Sequence, residues 1–80
     1  MMGRQDVYVI KAYDMNANGD LHSAIPPRHL KSEMAAIEEA RSIAPTHDGV
    51  AVCKQAVDPA IGYYGPEMLV FHMGQIPGIG

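Results

Sequence analysis

The stretch Ser32-Glu33-Met34-Ala35-Ala36-Ile37-Glu38-Glu39-Ala40-Arg41-Ser42-Ile43-Ala44 is the only segment of this chain with a clear helical period. Ala36, Ile37, Ala40, Ile43 and Ala44 recur at helical spacing and fall on one face. Glu38, Glu39 and Arg41 lie away from that seam. Ser32 is placed to cap the first turn, and Glu33 sits where an acid favours the helix dipole. Pro45 stops the run. The small alanines let such a helix lie close against a sheet.

On each side of the helix lies a pair of segments that read as strands. Residues 7–13 are β-branched and aromatic. Asn16, Asn18 and Gly19 tolerate a reversal, after which residues 21–25 can return as the second strand of a hairpin. Pro26 and Pro27 end that ladder because proline has no backbone donor. Residues 28–31 read as a connector. After the helix, residues 50–57 form a third strand, residues 58–67 a long hairpin loop, and residues 68–73 a fourth strand. The expected fold class is α+β, a ββαββ unit: a four-stranded, mostly antiparallel sheet with one helix packed on one face. Eighty residues make one domain over 1–80, with residues 1–5 and 75–80 expected to be loosely ordered termini.

A single helix covers only one face of such a sheet. Yet apolar residues occur at both parities of the later strands. Val50 and Val52 share one face of the third strand, and Cys53 and Val57 share the other. Leu69, Phe71 and Met73 oppose Met68 and Val70 in the fourth. Two readings follow: a second apolar surface that meets a partner or a second copy, or one covered by loops and the tail.

Composition narrows the function classes. The chain is 48% apolar and 19% charged, as expected of a folded globule. Its net charge of -3 is spread along the sequence, and the basic residues are scattered rather than gathered in a stripe. That argues against direct nucleic-acid binding. The solitary Cys53 makes no intrachain disulfide. No apolar run approaches a transmembrane length, and the first residues lack the apolar core of a signal peptide. The expectation is a cytoplasmic protein without membrane association.

Catalytic and metal motifs are weak. Asp14-Met15-Asn16-Ala17-Asn18-Gly19-Asp20-Leu21 matches the opening of a calcium loop, with Asp14, Asn16 and Asn18 as oxygen ligands. The match fails at its twelfth position, where Ile25 stands in place of a bidentate Glu. A hairpin turn is the simpler reading, with a weak metal-binding domain as an alternative. His22, His29, His47 and His72 lack zinc-ligand spacing. Cys53 has no local signature of a nucleophile and reads as a small buried hydrophobe. Glu38 and Glu39 are adjacent on a helix and do not face each other, so they form no acid/base pair. No catalytic residue, no metal ligand and no cofactor is expected, and the chain reads as a non-enzyme.

The remaining candidate is the segment from Asp58 to Glu67, which places Tyr63 and Tyr64 together between glycines and acids. Tyrosine gives a large contact area at low entropic cost. The partner-binding residues expected from sequence are therefore Tyr63, Tyr64, Asp58 and Glu67, with Glu38 on the acidic side of the helix. The alternative is that one ring folds back over the sheet.

Ile25-Pro26-Pro27-Arg28, the helix, Gly49-Val50-Ala51-Val52, Asp58-Pro59 with Gly62, and Gly74 with Ile76-Pro77 together resemble small proteins of alphaproteobacteria and their prophages. Compact acidic proteins of this size from mobile elements include anti-CRISPR inhibitors. The resemblance therefore implies a phage-type inhibitor that binds a host defence complex, such as a CRISPR surveillance complex, and blocks its DNA engagement. The alternative is an accessory protein that forms a homodimer through its open sheet face.

Overall fold

The computed structural model describes residues 3–78. Its elements run β1 (Gln5–Met15), β2 (Leu21–Ser23), β3 (Arg28–Leu30), α1 (Glu33–Ile43), β4 (Gly49–Asp58) and β5 (Tyr63–Gly74). All strand pairs are antiparallel, and the sheet order is β2-β1-β4-β5, with β3 also paired to β1. The fold is the expected α+β arrangement of an antiparallel sheet with one helix packed against it.

The sheet has five strands rather than four. Residues 28–31, read from sequence as a connector, contain β3. Tyr13 of β1 faces Ser23, and Ile10 faces Arg28. Residues 24–27 therefore lie opposite only Lys11 and Ala12. Pro26 and Pro27 fall in that excess, where a missing amide hydrogen costs no ladder bond. The prolines interrupt the edge without ending it.

α1 begins where its cap demands. The Ala35 amide donates to Ser32 Oγ at 3.2 Å, and Ser32 itself is extended. The helix lies on β1 and β4. Ile10, Ala12, Ala36, Ala40, Val50 and Val52 form the fully buried core between them. Tyr8, Leu30, Ile37, Ile43 and Phe71 pack around it, partly buried. The anchors of the helix are thus Ala36 and Ala40, and Ile37 sits on its flank.

β1 and β4 pair without interruption from Gln5↔Val57 to Tyr13↔Gly49. β4 and β5 pair from Gly49↔Gly74 to Asp58↔Tyr63, with irregularities between Val52 and Cys53 and between Gln55 and Val57. Each inserts an extra residue on β5 and bends it locally. The long loop expected over residues 58–67 is replaced by ladder. Only Pro59–Ile61, a single 3₁₀ turn, and Gly62 at φ 68° reverse the chain. Pro59, Gly62, Gly65 and Pro66 give this part the composition of a loop. Backbone pairing with β4 carries it as a strand.

The helix-free face is not bare. Val9 is 1% exposed, and Ala51, Cys53 and Val57 are also buried there. Ile76 is 6% exposed and meets Lys11, Tyr13, Ala51, Cys53 and Leu69 around one hollow, with Pro77 and Gly78 beside it. Residues 75–78 therefore form a strap across this face, where a loose tail was expected. The Gln75 amide donates to the Asp48 carbonyl at 2.9 Å to hold it. Glycine permits the crossing: a Cβ on Gly49 would lie 1.8 Å from the Gln75 carbonyl oxygen. Gly74 turns the chain at φ 73°. At the other terminus, Gln5 is already in β1. Residues 1–2 and 79–80 of the expected loose termini lie outside the described residues.

Candidate functional site

The residues singled out from sequence do not form one patch. Strand alternation puts Tyr64, opposite Val57, on the helix-free face and Tyr63, opposite Asp58, on the other. Tyr64 is 67% exposed. Tyr63 is half-buried, and the Arg4 guanidinium lies over its ring at 4.9 Å from the centroid. Gly65 makes room for that ring, since a Cβ there would stand 2.9 Å from the Tyr63 hydroxyl. The Gln55 side-chain amide donates to the Gly65 carbonyl at 2.8 Å and steadies the bend. The two rings thus divide: Tyr63 packs on the sheet and Tyr64 faces solvent. At the hairpin tip the large apolar side chain of Ile61 is 76% exposed.

The acids also separate. Asp58 turns Oδ1 inward, where it is buried without a hydrogen-bond partner among the described residues. Glu67 is bound to Lys11, which reaches over from β1. The Glu67 hydrogen bond raises the Lys11 pKa and outweighs the opposing effect of partial burial. Beneath this pair, burial pushes the Cys53 thiol up and favours its protonated form. Glu38 is exposed on α1, on the opposite side of the sheet from Tyr64 and Glu67.

The Asp14–Asp20 segment is a hairpin turn. Asn16 Oδ1 accepts from the Asn18 and Asp20 amides at 2.9 and 3.0 Å, and Gly19 adopts φ 84°. The Asp14 carboxylate is engaged elsewhere. It accepts from the Asp48 amide at 3.1 Å and lies 3.2 Å from His47 Nδ1. The Asp48 hydrogen bond, then His47, holds Asp14 below the usual carboxylate range. Met15 in turn donates its amide to Asp48 Oδ2 at 2.7 Å. The Asp14 carboxylate is thus spent on tying β1 to the loop before β4, and Asn16 Oδ1 on closing the turn. Among the described residues, no three His, Cys, Asp or Glu side chains gather as a metal site.

What the fold leaves unsatisfied is the outer edge of β5. It ends the sheet, and among the described residues no strand pairs with its outer side. Its apolar side chains are open: Met68 is 65% exposed, and Leu69 and Met73 are exposed as well. α1 lies chiefly on β1 and β4 and meets β5 at Phe71. Arg41 Cζ stands 5.6 Å from the Phe71 ring centroid, which fixes the flank of α1 that looks over β5. That flank carries Met34, Ile37 and Arg41, with Glu33 and Glu38 at its rim.

The two edges of the sheet contrast. The β2/β3 edge is made of two short strands broken by Pro26 and Pro27, and it carries His22, Arg28 and His29. Such features discourage pairing with another chain. β5 is 12 residues long. From residue 68 to residue 80 the sequence has no Asp, Glu, Lys or Arg. The single acid of β5, Glu67, is already paired with Lys11. Sequence reasoning placed a strand here but missed that it lies at the edge.

Comparison with protein-family models, curated proteins and solved structures finds no match to this chain. Among the described residues, no helix is long and apolar enough to cross a membrane.

Proposed function

We propose that this protein is a non-enzymatic binding module that holds another polypeptide strand along the free edge of β5. The observation that carries the reading is a long strand edge, without charge from residue 68 onward and unpaired among the described residues, flanked by exposed Met68, Leu69 and Met73. Backbone donors and acceptors along such an edge give affinity, and alternate side-chain positions give selectivity. Tyr64 stands near the start of the same strand as an aromatic anchor. The reading leans on the strand edge rather than on Asp58 and Glu67, since Asp58 Oδ1 is buried and Glu67 is paired with Lys11.

The narrower form of this reading is an inhibitor that occupies a host defence complex, and the sequence resemblance is what supports it. Capture from a bacterial lysate tests both levels, with the intact chain, Met68→Lys and Glu38→Gln as parallel baits. The expected result is a prey set lost with Met68→Lys and kept with Glu38→Gln. A CRISPR effector subunit in that set supports the narrower form. A prey set indifferent to Met68→Lys, or one that follows Glu38, overturns the β5 assignment.

A further inference from the structure

We infer that the strand held on the β5 edge is β5 of a second copy of this chain, paired antiparallel about a two-fold axis normal to the sheet. This rests on the β5-edge reading above and names the occupant.

The first argument is charge. A chain of net charge -3 resists self-association unless the meeting surfaces are neutral. Among the long strands, β5 meets that condition over residues 68–74. Residues 68–74 contain no Asp, Glu, Lys or Arg, and Glu67 is held by Lys11. Two copies can bring these strands together without opposing like charges.

The second argument is coverage. A 12-residue strand edge is about 40 Å long; at roughly 10 Å width it offers about 400 Å², half of the about 800 Å² per partner in a stable interface. A lone extended peptide would also leave the apolar strip between β5 and the Met34–Ile37–Arg41 flank of α1 open. A second copy covers both. A two-fold normal to the sheet keeps the same face up in both copies, so both helices lie on one side. With strands about 4.8 Å apart and each helix centred over β1 and β4, the two helix axes stand about 19 Å apart. Helices about 10 Å across then leave a cleft of roughly 9 Å between them. Met68, Phe71 and Met73 of the two joined strands, with Met34 and Ile37 from both helices, are the side chains available to fill it. The product is one continuous ten-stranded sheet with both inner edges closed and only the proline-broken edges outside.

Sedimentation of the full chain over a concentration series from about 1 to 500 µM tests this. The expected result is a species of twice the chain mass, with its dissociation constant raised tenfold or more in the variant Met68→Lys/Met73→Lys. Both positions are exposed, so the variant keeps its fold, which circular dichroism checks. Mixing that variant with Met68→Glu/Met73→Glu should restore the dimer as a heterodimer, because the substituted strands face each other. A chain that is monomeric throughout the series overturns the proposal, as does a dimer unaffected by the Lys substitutions. If the chain is monomeric yet captures another polypeptide in a Met68-dependent manner, the second copy is the wrong occupant and the edge reading survives. If capture is also indifferent to Met68, both fall.

Discussion

Replacing Gly49 with alanine should detach the strap from the helix-free face. Gly49 has an ordinary backbone conformation for any residue, so alanine brings no strain of its own. In an unobstructed site the change would even stabilise, by about 0.4–1 kcal/mol through the unfolded chain. The obstruction is backbone. The new Cβ would stand 1.8 Å from the Gln75 carbonyl oxygen and 2.5 Å from its carbon. Neither can rotate away as a side chain would, so residues 75–78 must lift. Lifting them exposes Ile76, worth about 1.5–3 kcal/mol of burial. It also breaks the Gln75–Asp48 hydrogen bond, worth about 1 kcal/mol. The expected loss is about 2–4 kcal/mol, against a total stability of roughly 4–12 kcal/mol for a chain of this size. Urea denaturation should show the midpoint falling by roughly 2–4 M, taking a slope near 1 kcal/mol per molar. Cys53, on the floor beneath the strap, should react faster with a thiol reagent under native conditions. Ile76→Ala should cost a similar amount alone and almost nothing on top of Gly49→Ala, since both remove one contact. An unchanged midpoint with an equally protected Cys53, or two fully additive losses, would refute the strap.

Three further outcomes follow from the same structure. Ala40→Leu should destabilise by about 1–3 kcal/mol, because Ala40 is fully buried against the sheet and the added atoms push the helix off it; Ile37→Ala, on the flank, should cost less, and the ranking is read from denaturation midpoints. Ser32→Ala should cost about 1 kcal/mol through loss of the Ala35 amide's acceptor, measured in the same assay. On acidification, Asp14 should contribute a loss of stability: its folded pKa is lowered, so its contribution is present above its ordinary value of 3.8 and disappears as pH falls through the folded value. Asp14→Asn should flatten that acid limb in a pH series of melting temperatures, and an unchanged limb would place the effect elsewhere.

Local signals carried most of the fold. The helix was legible because Ser32, the alanine spacing and Pro45 agree, and the four long or hairpin strands because β-branched and aromatic residues cluster in them. Three features were not. β3 is three residues long and is held by pairing with β1 rather than by its own pattern. The start of β5 carries two tyrosines, Gly65 and Pro66, which read as loop; its ladder with β4 overrides them. The strap depends on a Gly49–Gln75 approach between residues far apart in sequence. Of the candidate site, the exposure of Tyr64 was foreseen, but its separation from Tyr63 turns on strand parity through an irregular ladder. The β5 edge was invisible for a different reason. Which strand lies outermost is a property of sheet order, and sequence patterning of single strands does not encode it.

Amide hydrogen exchange along β5, followed by nuclear magnetic resonance at high and low protein concentration, tests the central claim most directly. In a free edge strand, amides bonded to β4 exchange slowly and those pointing outward exchange quickly. If β5 is the docking edge for a second copy, the outward set between residues 67 and 74 should become protected as concentration rises and lose that protection on dilution. The inward set should stay protected throughout. Outward amides that exchange freely at every concentration, while the chain associates through another surface, would contradict the account.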